Sequence, residues 1–142
     1  MTTTTISSGS VRVETASTAS YLQLAGRIGL AAIFILSGLS KIAATEATAG
    51  YIASVGLPAP QLALAVAIGV EVLGGIALIL GYRTKFVAGV LAIFSVVTAI
   101  AFHFDLGDQN QFIHFFKNIA MAGGLAQLAA VGAGRISLDA RG

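Results

Sequence analysis

Between Lys85 and Asp105 the chain carries no charged side chain, and nearly every residue there is apolar. A helix rises about 1.5 Å per residue, so this stretch is about as long as the ~30 Å hydrocarbon layer of a bilayer is thick. Nothing else in the sequence could keep such a segment in water. Of 142 residues, 56% are hydrophobic and 10% charged, with a mean hydropathy of +0.90, whereas a soluble domain is about one quarter charged. The expectation is therefore an all-α integral membrane protein, a four-helix bundle with little chain to spare outside the bilayer. Any chemistry must sit between the spans or in short loops.

Three more spans fit around the first. Residues 1–20 are rich in Thr and Ser, with Arg12 and Glu14 as their only charges. They lack the apolar core of a signal peptide and read as a disordered cytoplasmic tail. Span one covers 21–42, with Arg27 inside it and Lys41 near its far end. A short helix at 47–55, capped by Thr45, is too short to cross and is expected at the outer interface. Gly56-Leu57-Pro58-Ala59-Pro60 stops it. Span two covers 61–80, with Glu71 near its middle, and Gly81-Tyr82-Arg83-Thr84-Lys85 forms a basic turn. Span three is 86–104. A polar loop at 105–112 leads to span four at 113–133, which carries Lys117 and Asn118 in its first turns. The transmembrane domain then occupies 21–139, leaving 140–142 as a short tail. Arg12, Arg83, Lys85, Arg135 and Arg141 fall on one side. Lys41, Glu46, Asp105 and Asp108 fall on the other. Because basic residues stay inside, both termini are expected in the cytoplasm.

Composition removes several function classes. There is no cysteine, hence no disulfide, thiol nucleophile or cysteine-ligated metal. A net charge of +2 without any basic run gives no footprint for nucleic acid. The two histidines and six acids are scattered, and no metal site is expected. Gly74-Gly75 lies inside an apolar helix with no strand before it, so it is not a phosphate loop.

Ionisable residues inside the spans carry the most information, because each costs roughly 2.5–3.5 kcal/mol at a helix centre and so turns inward towards partners. Arg27, Ala31, Phe34, Gly38 and Lys41 share one helix face. Glu71, Gly74, Gly75 and Leu78 share another, and Lys117, Ala120, Met121 and Gly124 a third. The pairs Gly74-Gly75 and Gly123-Gly124 resemble a weak internal repeat and are expected to pack helices closely at similar depth. Aligned on those pairs, Lys117 lies about 4.5 Å further out than Glu71, within reach of its side chain. A buried Arg27–Glu71–Lys117 network is the expectation. Glu71, Lys117 and His103 are the candidate catalytic residues, and Arg27, Lys41 and Asn118 the candidate ligand-binding ones. The plainer alternative is that the ion pairs only fix helix register, and for Arg27 this structural role is favoured. His103 can relay a proton to the outer surface; with His114 it has the chemistry to ligate a haem or metal, although helix-end histidines are also ordinary interface residues. Asn118 reads as a helix-to-helix hydrogen bond, and Ser37 and Ser40 as bonded to their own helix carbonyls.

Gly26-Arg27-Ile28-Gly29, Phe34, Ser37-Gly38 and Lys41 resemble the opening of DoxX-family membrane proteins. Gly56-Leu57-Pro58, Glu71-Val72-Leu73-Gly74-Gly75, Gly81 with Arg83, Lys117-Asn118, Gly123-Gly124 and Ser137-Leu138-Asp139 continue the resemblance across residues 22–139. It implies a small four-helix protein of the bacterial cytoplasmic membrane. It also links the chain to quinone-coupled sulfur oxidation and to membrane oxidoreductase complexes that resist oxidative stress. The missing cysteines depart from a thiol relay. The functional expectation is a redox-associated subunit that binds a quinone-like molecule at the buried charges. It would take electrons from a soluble or membrane oxidoreductase partner, having no cofactor motif of its own. A non-enzymatic scaffold or assembly factor, or a small proton or substrate carrier, are the alternatives, and a homo-oligomer is compatible with the glycine-rich faces.

Overall fold

The computed structural model describes residues 9–142, with side chains from Thr18 onward. The described residues form five helices and no strand: α1 (Gly9–Ala43), α2 (Thr45–Ser54), α3 (Pro60–Leu80), α4 (Thr84–Phe102) and α5 (Gln109–Val131). Three of them are long and apolar enough to cross a membrane, namely Thr18–Ala43 within α1, α3 and α4. The sequence led to an expectation of four. At 23 residues α5 is long enough, but Gln109, Asn110, Gln111, His114, Lys117 and Asn118 dilute the apolar character of its first half.

Helix ends differ from expectation where a local interaction shifts them. α1 already runs through 9–20, part of the expected disordered tail, while residues 1–8 lie outside the described residues. Extending a formed helix fixes one residue per new hydrogen bond, far cheaper than starting one. Ala44, not Thr45, occupies the cap position of α2, and Thr45 Oγ1 donates back to Ile42 O at 2.9 Å. α5 starts four residues early because the Asp108 carboxylate accepts from Gln111 N at 2.8 Å, satisfying an otherwise orphan first-turn amide.

α1 runs antiparallel to α3, and α4 packs along α5; α2 lies against α3. Glycine sets how close α1 and α3 come. A Cβ on Gly75 would sit 2.5 Å from Ile35 Cγ1, and one on Gly38 would sit 2.6 Å from Val72 Cγ2. Gly124 also faces α1, at ordinary contact distance from Leu30, so Gly75 and Gly124 address the same stretch of that helix. Gly74 packs on Leu91 of α4, whereas nothing stands within 4 Å of the position a Cβ on Gly123 would take. Ala31, Phe34, Leu78, Ala88, Leu91, Leu125 and Leu128 form the core. In α5 the buried face is therefore Ala122, Leu125 and Leu128; of the expected stripe Lys117, Ala120 and Gly124 are exposed and Met121 is half-buried. Two interdigitating leucines make more van der Waals contacts with the neighbouring helices than small residues would.

The end of the fold where α3 turns into α4 is closed by the C-terminal segment. Leu138 N donates to Leu80 O at 3.0 Å and Asp139 N to Gly81 O at 2.8 Å. The Asp139 carboxylate accepts from Arg83 N at 2.7 Å and Thr84 N at 2.8 Å. It thus caps α4 from a distant part of the chain, since Arg83 at the cap position has no side-chain cap of its own. Burial alone would raise the Asp139 pKa. Hydrogen bonds from Thr84 and Arg83 and the Arg27 charge outweigh it and hold the group below its ordinary value of 3.8. Gly81 has φ +66°, and a Cβ there would lie 2.3 Å from both Arg27 Nη1 and Ser137 Cβ. No other residue type meets both demands without strain.

Candidate functional site

Arg27 belongs to this clasp and not to the expected network. It is 1% exposed. Its Nη1 donates to Leu78 O at 3.0 Å and Ile79 O at 3.2 Å, and its Nη2 donates to Ile136 O. The guanidinium thus adds a second donor to Leu78 O, which Gly81 N already reaches at 3.2 Å, supplies one to Ile79 O, and joins the end of α3 to the C-terminal segment. Five planar donors on a fixed fork suit that task better than a single contact with a carboxylate.

Glu71 is 5% exposed and pairs with Lys41 instead. Lys41 Nζ stands 2.9 Å from Glu71 Oε1 and donates to Ser37 Oγ at 2.7 Å; Ser37 Oγ donates to the same Oε1 at 3.1 Å. Gly38 makes this pairing possible. A Cβ there would already lie 3.3 Å from Glu71 Cβ, so the backbone of α1 passes close enough for Lys41, one turn on, to reach back. Ser37 was expected to bond its own helix; only Ser40 does so, donating to Ser37 O at 2.8 Å. Glu71 Oε2 is buried and has no hydrogen-bond donor.

Glu71 and Lys41 line a cavity of about 640 Å³ at the end of the bundle away from the clasp. All five helices contribute to it. Phe34 and Ser37 come from α1, Tyr51 and Ile52 from α2, Phe94 and Phe102 from α4, and Met121 from α5. His103, just past α4, and His114, Lys117 and Asn118 of α5 form a second polar region on its wall. Ligand cavities are characteristically apolar, with a few placed polar groups, and this one has that character.

The second polar region has its own order. The His103 and His114 rings stack at 5.1 Å between centroids. His103 Nδ1 is 2.7 Å from Gln111 Oε1, which can only accept, so the proton sits on Nδ1. Lys117 Nζ stands 3.0 Å from His114 Nδ1. An ammonium can only donate, so that ring is neutral and carries its proton on Nε2. Asn118 Nδ2 donates to His114 O at 3.0 Å; it braces its own helix and makes no helix-to-helix bond. Among the described residues no group of three or more His, Cys, Asp or Glu gathers as a metal site would.

The cavity therefore gathers Glu71, Lys117, His103, Lys41 and Asn118 and leaves out Arg27. Lys117 and Glu71 line the same space, but each has another partner. Sequence reasoning missed Tyr51. Its hydroxyl donates to Phe102 O at 3.1 Å and its ring lies 5.6 Å from that of Phe102, tying α2 over the cavity. The signal for it was an aromatic residue on a helix too short to cross. It also missed Asp108, although Asp108-x-x-Gln111 has capping-box spacing.

Comparison with known proteins places these residues in a lineage. The sequence matches DoxX over residues 22–104. It is 38% identical over 125 residues to the inner membrane protein YphA of Escherichia coli strain K12, covering 84% of this chain and 89% of that one. It is 33% identical over 116 residues to the inner membrane protein YqjF of the same organism, covering 82% and 88%. No solved structure matches the chain.

Proposed function

The chain belongs to the DoxX family and is an inner membrane protein, and we propose that it binds the head group of a quinone-like lipophilic molecule in the cavity beside Glu71. One observation carries the reading: a hydrogen-bonded ion pair of a half-buried Lys41 and a buried Glu71, on the wall of an aromatic-lined space large enough for a substituted ring. Lys117 supplies a donor for a ring carbonyl, and His103, whose Nε2 is left as an acceptor next to the polar loop, provides an exit for protons. Electrons would come from a partner oxidoreductase subunit. In this reading α5 is a fourth span, made acceptable to the bilayer because His114, Lys117 and Asn118 line the cavity while Gln109 and Asn110 lie at its exposed first turn. The basic residues put both termini in the cytoplasm, so the cavity lies in the outer half of the membrane.

Mass spectrometry of the gently purified protein tests this directly. A quinone should be retained in wild type and lost in Glu71→Gln. Absence of any retained or protected quinone in quinone-containing membranes, unaltered by that substitution, sinks the reading. A scaffold role has separate support in Gly26, Gly29, Gly89 and Gly123, whose faces are open to close approach by another helix. A stoichiometric membrane partner recovered after mild solubilisation, with no retained small molecule, would favour it.

A further inference from the structure

The fold divides into two helix pairs. α1 packs on α3 and α4 on α5, and α2 belongs with the first pair because it lies against α3 and α1. The clasp joins the pairs at one end through Arg27, Leu138 and Asp139. At the other end the cavity lies between them. There, among the described residues, one side chain makes both the hydrogen bond and the ring contact that cross from pair to pair. It is Tyr51, whose hydroxyl donates to Phe102 O and whose ring lies against that of Phe102.

The helix that carries Tyr51 is lightly held. Of the ten residues of α2 only Ile52 is buried, and a helix this short is marginal without packing. Ala44 alone separates it from α1. On its other side the chain turns through Gly56 at φ +81° and Ala59 at φ +49°, and the second is a left-handed conformation that a residue with a Cβ adopts only under strain. Segments with few buried contacts open at the lowest free energy. Phe102 is the last residue of α4, so its carbonyl has no partner within the helix, and a water can replace the Tyr51 hydroxyl when α2 lifts. Beneath α2, Leu57, Val66 of α3 and Val97 of α4 line the cavity and are exposed as well. α3 and α4 are both apolar enough to span, so this rim meets lipid.

We propose that α2 is a gate and Tyr51 its latch: when the Tyr51–Phe102 contact breaks, α2 lifts, and a lipophilic molecule passes from the bilayer between α3 and α4 into the cavity. The proposal rests on the cavity reading above and adds the route by which the occupant comes and goes. Tyr51 is then a positioning residue. Its hydroxyl sets how fast the occupant exchanges, not how tightly it binds.

The chain has no cysteine, so a single introduced thiol reports on one place. Ala67→Cys puts it on the cavity wall of α3, and Ala65→Cys puts it on the exposed face of the same helix. Each is reacted with the uncharged reagent N-phenylmaleimide in nanodiscs. Tyr51→Phe removes the hydroxyl and keeps the ring; it should speed reaction at the cavity thiol about fivefold, as loss of one neutral hydrogen bond predicts. Tyr51→Ala removes the ring contact too and should speed it about thirtyfold. The rate at the Ala65→Cys thiol should not change. Uptake and release of a short-tailed benzoquinone should both quicken severalfold in Tyr51→Phe, with equilibrium retention unaltered. A cavity-thiol rate that both Tyr51 variants leave at the wild-type value overturns the proposal. So does an equal rise at the Ala65→Cys thiol, which would mean general loosening, or an equal rise with a sulfonated maleimide excluded from the bilayer, which would put the opening on the water side. The thiol measurement needs no ligand. Faster reaction at the cavity thiol with no benzoquinone bound keeps the gate and removes the proposed occupant. Benzoquinone that binds and exchanges at one rate in wild type and Tyr51→Phe keeps the cavity reading and removes the gate.

Discussion

The clasp around Arg27 and the cavity around Glu71 begin from the same part, a single buried charge on a membrane helix, and end in opposite states. Arg27 is enclosed by carbonyls and the C-terminal segment, and Gly81 beside it leaves no space for even a methyl group. Glu71 has one oxygen saturated, the other bare, and a cavity alongside. Guanidinium carries its donors on a rigid fork; here Nη1 and Nη2 are spent on backbone carbonyls, while Nε is buried without a partner. A carboxylate has two acceptor oxygens, and the lysine and serine available here both address the same one. The contrast separates a charge spent on backbone carbonyls from one paired with an ammonium beside a cavity, and four substitutions press on it.

The largest effect belongs to Lys41→Met. It leaves Glu71 buried without its counter-ion and should lower stability by about 3–5 kcal/mol, read as the midpoint of denaturant unfolding in micelles. If the pair serves a ligand, Lys41→Met with Glu71→Leu should recover most of that stability and still retain no small molecule. Next comes Arg27→Met, which leaves Ile79 O and Ile136 O without their donor. A loss of about 2–3 kcal/mol is expected, with ligand retention unchanged because the sites are distant and independent. A loss of ligand at undiminished stability would abolish the division between the two ends.

Asp139→Ala should remove about 1 kcal/mol, as other lost helix caps do, and speed hydrogen exchange at the Arg83 and Thr84 amides. The same clasp predicts a pH effect with a definite sign. The Asp139 pKa is held below its ordinary 3.8 in the folded chain, so its contribution is complete above that value and disappears as pH falls through the lower folded one. Exchange at the two amides, corrected for its intrinsic pH dependence, should lose protection only in acid and stay constant between neutral and mildly acidic pH. The smallest change in stability belongs to Lys117→Gln, within about 0.5 kcal/mol because the side chain is exposed. It should nevertheless weaken retention of the lipophilic ligand severalfold; equal retention would confine the site to the Glu71 side of the cavity.

Much of the architecture was legible because the bilayer enforces simple rules. Pro58 and Pro60, Gly81 and the uncharged run after Lys85 mark three of the helix boundaries to within two residues. The face carrying Arg27, Ala31, Phe34, Gly38 and Lys41 does turn inward. The pairing of charges was not legible. Depth counted along aligned helices brought Lys117 near Glu71, but depth says nothing about rotation around a helix axis or about which side chain gets there first. The close approach at Gly38 settles that in favour of Lys41. Likewise the tail residues Ser137-Leu138-Asp139 gave no hint that they would cap α4, because the amides they meet are more than fifty residues away in sequence.

Sequence alone determined that this chain lives in a membrane as helices and that its few buried charges would face inward. Those outcomes follow from the cost of placing polar groups in hydrocarbon, which any fold must respect. Only the tertiary structure decided that Arg27 would close one end while Glu71 paired with Lys41 beside a cavity at the other. Which donors reach which acceptor depends on angles and approaches of a few tenths of an ångström between helices, and no local pattern in the chain encodes them.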